Sequence, residues 1–395
     1  MGNKTSVVLV GINGYGEMYV KALLDNERVT IAGVVEIALE LSPYLPFIKQ
    51  RSIPIYQTVE EFYAKHSAEL AIISTPIHLH TVQATEAMKN GSHVLCEKPL
   101  AGDAGDISLW EQASRQSGKW AAIGFNWSFT DTIQEVKQDI LRGVFGKPKR
   151  LKTLVLWPRS EAYYKRSSWA GREYSPAGDK IRDSIANNAA AHFLHNMLYI
   201  LGEDVQTSAE VQSVEAELYK VNEIETFDTC ALRVWTEAGA ELLFYASHAT
   251  ETELGPNFIY EFENGFIEYA CRQNNGKVMA YFEDGSTKEY GSLERDQREH
   301  LCKLDWCLQA VKDKEMDIPC LFSTATPHLQ TIEAIHTEGN RVKAFPPERI
   351  HVNKEKQMRS VDGLNTLLTE CFQEYYSAQK REWSPIETKL TVMQR

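Results

Sequence analysis

The stretch VGINGYGEMYVKALL, Val10 to Leu24, sets Gly11, Gly14 and Gly16 between an apolar run and an amphipathic one. Glycines at such a junction let a backbone approach a phosphate, and the amino end of the following helix offers N–H groups to the anion. The pattern is a G-x-G-x-x-G turn with Asn13 at the central position. Asn tolerates positive φ better than most residues, so two arrangements stay open: Asn13 takes the glycine-like conformation, or Gly14 beside it makes the close approach to the phosphates instead. Tyr15 completes the turn. Glu36 ends the next β-branched run, VTIAGVVE, about 20 residues past Gly16, where a carboxylate can grip the hydroxyls of an adenosine ribose. A carboxylate there repels a 2′-phosphate and no Arg follows closely, which favours NAD over NADP.

A second group lies in ISTPIHLHTVQATEAMKNGSHVLCEKPLA, Ile73 to Ala101. Thr75 and Pro76 end one strand-like run, His80 opens a helix-like segment, and Glu97, Lys98 and Pro99 end the next run. A lysine held between Glu97 and Pro99 at a sheet edge is rarely just solvated, and Pro99 biases it toward an extended backbone. A third group is DSIANNAAAHFLHNMLYILG, Asp183 to Gly202. Asn188, His192 and His195 stand at i, i+4 and i+7, a spacing that predicts one shared helical face. An imidazole titrates near neutral pH, so His192 is the candidate base and His195 its assistant. No carboxylate or third His has matching ligand spacing, so no metal is expected. The loop between Trp157 and Asp183 is long and rich in Trp, Tyr and Arg, and long loops in compact domains are commonly functional. Its aromatic faces and hydrogen-bonding arms suit a sugar or polyol, with Tyr163, Trp169 and Arg172 as contacts.

These groups need a scaffold. The first 125 residues alternate β-branched runs (SVVLVGI, VTIAGVVE, LAIISTP, HVLCEKP) with amphipathic segments, the pattern of βαβ units around a parallel sheet. After IGFNWSF the pattern changes, and the boundary falls near Asn126: residues 1–125 form one domain and 126–395 another. A helix is expected near Thr130–Arg142, then a strand in KRLKTLVLWPRS. From Val205 to about Phe282 strands follow one another across EAGAE, ENG and EDGS turns, which predicts an antiparallel sheet. Helices are expected at Leu293–Lys312, Thr324–Thr337 and near Ser360–Lys380.

Of the 395 residues, 43% are hydrophobic and 24% charged, ordinary for a globular protein of two domains. A formal net charge of −12 without a long basic run argues against nucleic acid and anionic membrane surfaces. No apolar stretch approaches the ~20 residues of a membrane helix, and the expected location is the cytoplasm. MGNKTS fits a loose lipidation pattern, but Val7 begins a strand at once, so lipidation is not expected. Seven cysteines, an odd number without metal-ligand spacing, read as reduced thiols.

At the glycine turn, T-P, His80 and E-K-P, the sequence resembles the family of glucose–fructose oxidoreductase, inositol dehydrogenase and MocA. The resemblance implies an α/β plus α+β chain: a dinucleotide-binding Rossmann domain, then a domain with a large, mostly antiparallel sheet flanked by helices, often used for oligomer contacts. It implies NAD as cofactor, held by Gly11, Asn13, Gly14, Tyr15, Gly16, Glu36, Thr75, Pro76, His80, Glu97, Lys98 and Asn126. In that family the E-K-P lysine points at the nicotinamide and the reacting hydroxyl. Lys98 is therefore expected to stabilise a developing alkoxide, as an ammonium can. The family's D-x-x-x-H falls on Asn188 and His192, with Asn in place of the carboxylate, which cannot carry charge or a proton. Ile77 and Ser128 replace the family's Asn and Arg.

The implied activity is hydride transfer between NAD and a secondary hydroxyl of a sugar, sugar derivative or cyclitol, in a homodimer or homotetramer built on the C-terminal sheet. Asn188, His192, Tyr163, Trp169 and Arg172 would bind the substrate. Two alternatives stay open on the sequence. One is an NAD-dependent glycosidase working by transient oxidation and elimination. The other is a sugar- or nucleotide-sensing protein of the same fold without turnover.

Overall fold

The computed structural model describes residues 4–294, 301–337, 341–373 and 386. They fall into two compact units, Met1–Phe129 with Arg298–Thr326, and Thr130–Gln297 with Pro327–Arg395.

In the first unit the β-branched runs become strands, and the central ones are buried on both sheet faces. All four residues of LAII, for example, are buried. The strands are β1 (Thr5–Val10), β2 (Val29–Val35), β3 (Ile55–Tyr56), β4 (Leu70–Ile73), β5 (His93–Cys96) and β6 (Ala121–Ile123). They pair in parallel in the order β3-β2-β1-β4-β5-β6. Chain direction across the sheet reverses between β1 and β4, which opens a crevice at their carboxyl ends. The helix α1 (Gly16–Leu24) follows β1, and His80–Lys89 follows β4.

The expected boundary at residue 126 lies close to Phe129, where the first stretch of this unit ends, but residues 298–326 return to it. Ile123 N–H donates to Cys320 O at 2.9 Å, and Ala122 bridges Leu321 antiparallel, so the returning segment pairs with β6. Edge pairing between distant segments leaves no periodicity for a sequence reading to find. The return includes the helix Cys302–Ala310, where a helix over Leu293–Lys312 was expected; residues 295–300 of that span lie outside the described residues.

The second unit holds a nine-stranded sheet. Its strands are β7 (Pro148–Leu156), β8 (Val211–Lys220), β9 (Thr229–Thr236), β10 (Glu241–Ser247), β11 (Leu254–Phe262), β12 (Gly265–Ala270), β13 (Lys277–Phe282), β14 (Thr287–Ser292) and β15 (Lys343–Ala344). The order is β14-β13-β12-β11-β7-β10-β9-β8-β15. Pairing is antiparallel except for β7 with β10 and β8 with β15. Leu154, Leu156, Tyr219 and Tyr245 pack with Leu367 and Leu368 of the helix Leu364–Gln373 in one buried cluster. That helix is shorter than Ser360–Lys380 implied: Met358–Val361 is a strand, and 374–380 lie outside the described residues. Asp131–Leu141 and Phe322–Thr337 are helices close to the expected bounds. Among the described residues, no helix is long and apolar enough to cross a membrane.

Candidate active site

The glycine turn closes tightly at the end of β1. Positive φ falls on Gly11 (+80°) and Gly14 (+61°), and Asn13 is not left-handed. Of the two arrangements the sequence left open, the backbone takes the second: Gly14 makes the left-handed step at no steric cost. The Asn13 side chain instead donates to Ala38 O at 3.0 Å, tying the turn to the segment after β2. A Cβ on Gly16 would stand 2.3 Å from Gly11 O, and one on Gly11 2.7 Å from Ser74 O. A Cβ on Gly14 would meet nothing within 4 Å, so this residue faces open space. The Gly14 and Tyr15 backbone N–H groups donate to no protein group among the described residues. Glu36 is half-buried just past β2, its carboxylate fixed by the N–H groups of Ile12 and Ala38, both at 2.9 Å.

Lys98 follows β5 and is half-buried, and its peptide to Pro99 is cis. Around it, side chains hold the backbone. His80, only 1% exposed, sets Nδ1 2.8 Å from Pro99 O and Nε2 2.9 Å from Thr75 O. Both carbonyls can only accept, so a neutral ring satisfies one and the imidazolium both. Burial pulls the His80 pKa down, against the upward pull of those two carbonyls. His80 was expected to contact the cofactor; it is spent on the backbone and ties the T-P segment to the E-K-P segment.

Glu97 is also turned inward. Its carboxylate accepts from the Tyr19 hydroxyl at 2.5 Å and forms an ion pair with Lys303 from the returning helix. Lys303 Nζ is 3.3 Å from the Tyr15 hydroxyl and 3.4 Å from Gly124 O, and lies over the Tyr15 ring 4.8 Å from its centre. Burial works to lower the Lys303 pKa, but Glu97 and Tyr15 outweigh it and the value is raised. Burial raises the Tyr15 hydroxyl, which also hydrogen-bonds Asn126. Glu97 and Asn126, both expected cofactor contacts, are buried in this cluster.

In the second unit the expected helix begins late. Residues 185–190 are turns and the helix runs Ala191–Tyr199, so Asn188 does not share a helical face with the histidines. Asn187 competes with regular structure here, its amide donating to Arg182 O at 3.1 Å. Asn188 Nδ2 donates to Asp183 Oδ1 at 2.6 Å, and the other Asp183 oxygen accepts from Gly171 N–H at 2.7 Å, with Arg166 3.5 Å away. His192 is half-buried. His195 is buried, stacked 5.8 Å from Tyr199 and edge-on to His328 at 6.5 Å. Burial, with His328 and Lys137 adding, holds its pKa well below the usual imidazole range. His195 is therefore a neutral core residue and not an assistant base.

The loop residues divide. The Arg166 guanidinium lies over the Tyr163 ring at 3.9 Å and near the Trp169 ring at 5.1 Å. Arg172 is exposed, paired with Glu225 at 2.9 Å. It lines a cavity of about 640 Å³ with Tyr164, Ser168, Glu223, Glu225 and Arg359, to which Tyr163 and Trp169 do not contribute.

Residues 5–125 match the model of an oxidoreductase family with an NAD-binding Rossmann fold. The chain is 22% identical over 210 residues to glucose-6-phosphate 3-dehydrogenase of Bacillus subtilis, covering 53% of this chain and 56% of that one. It is 24% identical over 208 residues to inositol 2-dehydrogenase of Renibacterium salmoninarum, covering 52% and 57%. These matches span little more than half of either relative. Among solved structures, the WlbA dehydrogenase of Bordetella pertussis in complex with NADH and UDP-GlcNAcA shares the fold. Its TM-score is 0.67 at 19% identity, over 85% of this chain and 96% of that one.

The residues of this matched region fit NAD. The open face at Gly14 and two unspent N–H groups suit a pyrophosphate, and the Glu36 carboxylate, held by two N–H donors, keeps lone pairs for ribose hydroxyls. Two residues escaped the sequence reading. Asp183 stood in the quoted stretch but outside the helical spacing. Lys303 left a fainter sign: with Cys307 and Ala310 it stands at i, i+4 and i+7 on the buried face of its helix.

Proposed function

We propose that the protein oxidises a secondary hydroxyl of a sugar, sugar derivative or cyclitol, with NAD as the hydride acceptor. The observation that carries the reading is a half-buried lysine, Lys98, at the carboxyl edge of a sheet that also builds a dinucleotide cradle. When bound, NAD supplies the acceptor for the hydride that leaves the carbinol carbon while the hydroxyl loses its proton, giving a ketone. Lys98 donates a hydrogen bond to the substrate oxygen and stabilises its developing negative charge. His192 is the proposed proton acceptor, acting as general base. Thr75 and Pro76 stand at the β4 end of the same edge and flank the cofactor. Of the loop residues, Tyr163 and Trp169, gathered on Arg166, are the proposed substrate contacts, while Arg172 is spent on Glu225 at a separate cavity. The names of the relatives support the substrate class: one is a dehydrogenase of a sugar phosphate, the other of a cyclitol.

The nine-stranded sheet is the proposed surface for a homodimer or homotetramer, and Phe266 on β12 is an exposed large apolar side chain there. No disulfide joins any of the seven cysteines, which fits a reducing, cytoplasmic setting.

A panel of sugars, sugar phosphates and cyclitols, incubated with NAD or NADP and followed by absorbance of the reduced nucleotide, tests the reading. NADH should accumulate with at least one alcohol, and NADP should be poorer by about 100-fold, the scale of placing like charges together at Glu36. Absence of turnover on every alcohol, or a preference for NADP, would contradict it.

A further inference from the structure

Lys303 enters the first unit on the returning segment, and its ammonium, with no exposed surface, gathers three pieces of the dinucleotide crevice. These are Glu97 after β5, Tyr15 in the glycine turn, and Gly124 after β6. Tyr19 of α1 shares Glu97 with it. We infer that Lys303 is a positioning residue for the nicotinamide half of the cofactor site. The inference rests on the NAD reading of this domain.

The argument is topological and electrostatic. A dinucleotide lies across the switch point of such a sheet, one mononucleotide on each side. Glu36, at the end of β2, belongs to the adenosine side, whereas the Lys303 contacts beyond the turn follow β5 and β6 on the other side. Glu97 immediately precedes Lys98, and its second oxygen lies 3.4 Å from the Lys98 N–H. Placement of the E-K-P backbone on this side therefore depends on a buried carboxylate whose counter-charge comes from Lys303. Removing one member of a buried pair leaves an uncompensated charge, while neutralising both members removes that penalty. Stability and positioning can thus be separated.

The experiment titrates NADH and AMP into the full chain, wild type against Lys303→Met and the double variant Lys303→Met/Glu97→Gln, with melting temperatures alongside. AMP reports only the adenosine side. Lys303→Met should weaken NADH by about tenfold or more and AMP by less than about threefold. The double variant should melt near wild type yet keep the weakened NADH binding, because neither change returns a donor to Tyr15 and Gly124. The inference is overturned if NADH and AMP weaken together in the folded double variant, or if NADH affinity recovers along with stability. If Lys303→Met does not fold, the double variant alone decides by the same comparison. Wild-type protein that binds no NADH would overturn the NAD reading itself.

Discussion

Asn188 owes its orientation to Asp183. The carboxylate can only accept, so the amide turns its NH2 toward it at 2.6 Å, and the carbonyl oxygen becomes the end directed elsewhere. Asn188 thus presents an acceptor without charge, while the charge sits at Asp183, buried beside Arg166 and the Gly171 N–H. Asn188→Asp would set two carboxylates at hydrogen-bond distance, so one must hold a proton and its folded pKa rises. A carboxyl with a raised folded pKa keeps its stability below the unfolded value near 4 and loses it as pH rises through the folded value. The variant should therefore melt close to wild type at acid pH and fall behind toward neutral pH, by about 1–3 kcal/mol. A melting profile parallel to wild type from acid to neutral pH would refute the pairing. Residue types at the sheet edge were legible because Glu36, Lys98 and the glycines stand in fixed relation to strand ends. The Asp183 pairing was not, since it joins two turns and follows no period.

The glycine turn is an element whose geometry depends on two backbones in near contact. Gly16→Ala would drive a Cβ to 2.3 Å from Gly11 O, a backbone atom that cannot swing aside. Gly14→Ala meets open space and bears only the left-handed φ of +61°, a strain of about 1–2 kcal/mol. Melting should show a large stability loss in Gly16→Ala and a much smaller one in Gly14→Ala, whose Cβ enters the open face and weakens NADH binding without unfolding the turn. Equal stability losses in the two variants would show that the turn is not closed as described. The sequence revealed the strands of both units because buried strands are continuous apolar runs and the hairpins carry glycine turns. It misplaced the start of the helix that holds His192, because Asn187 bonds to the backbone before it and the chain turns through residue 190. The return of residues 298–326 was illegible for a related reason: their pairing with β6 is set by tertiary contact alone.

At the scale of the molecule, burial holds His93, His195, His248 and His336 toward the neutral form. Burial lowers the pKa of His195 and His248 well below the ordinary value, and that of His93 and His336 to about 4. Unfolded histidines titrate near 6.5. Between those values the unfolded chain binds more protons, so stability is complete above about pH 6.5 and is lost as pH falls toward 4. Melting followed by circular dichroism should show a decline beginning near pH 6.5, before most carboxylates titrate, and His195→Phe should reduce its slope. A melting temperature flat down to pH 5 would contradict these burials.

The claim that the first unit's edge does hydride chemistry, and does not merely hold a ligand, is tested most directly by Lys98→Met. With the alcohol that yields NADH in wild type, turnover at saturating NAD and alcohol should fall by roughly 10²–10³-fold, the cost of removing one donor to a developing oxyanion. NADH affinity should stay within about threefold. A variant that turns over within about tenfold of wild type would show that Lys98 does not stabilise the transition state and that the proposed chemistry is wrong.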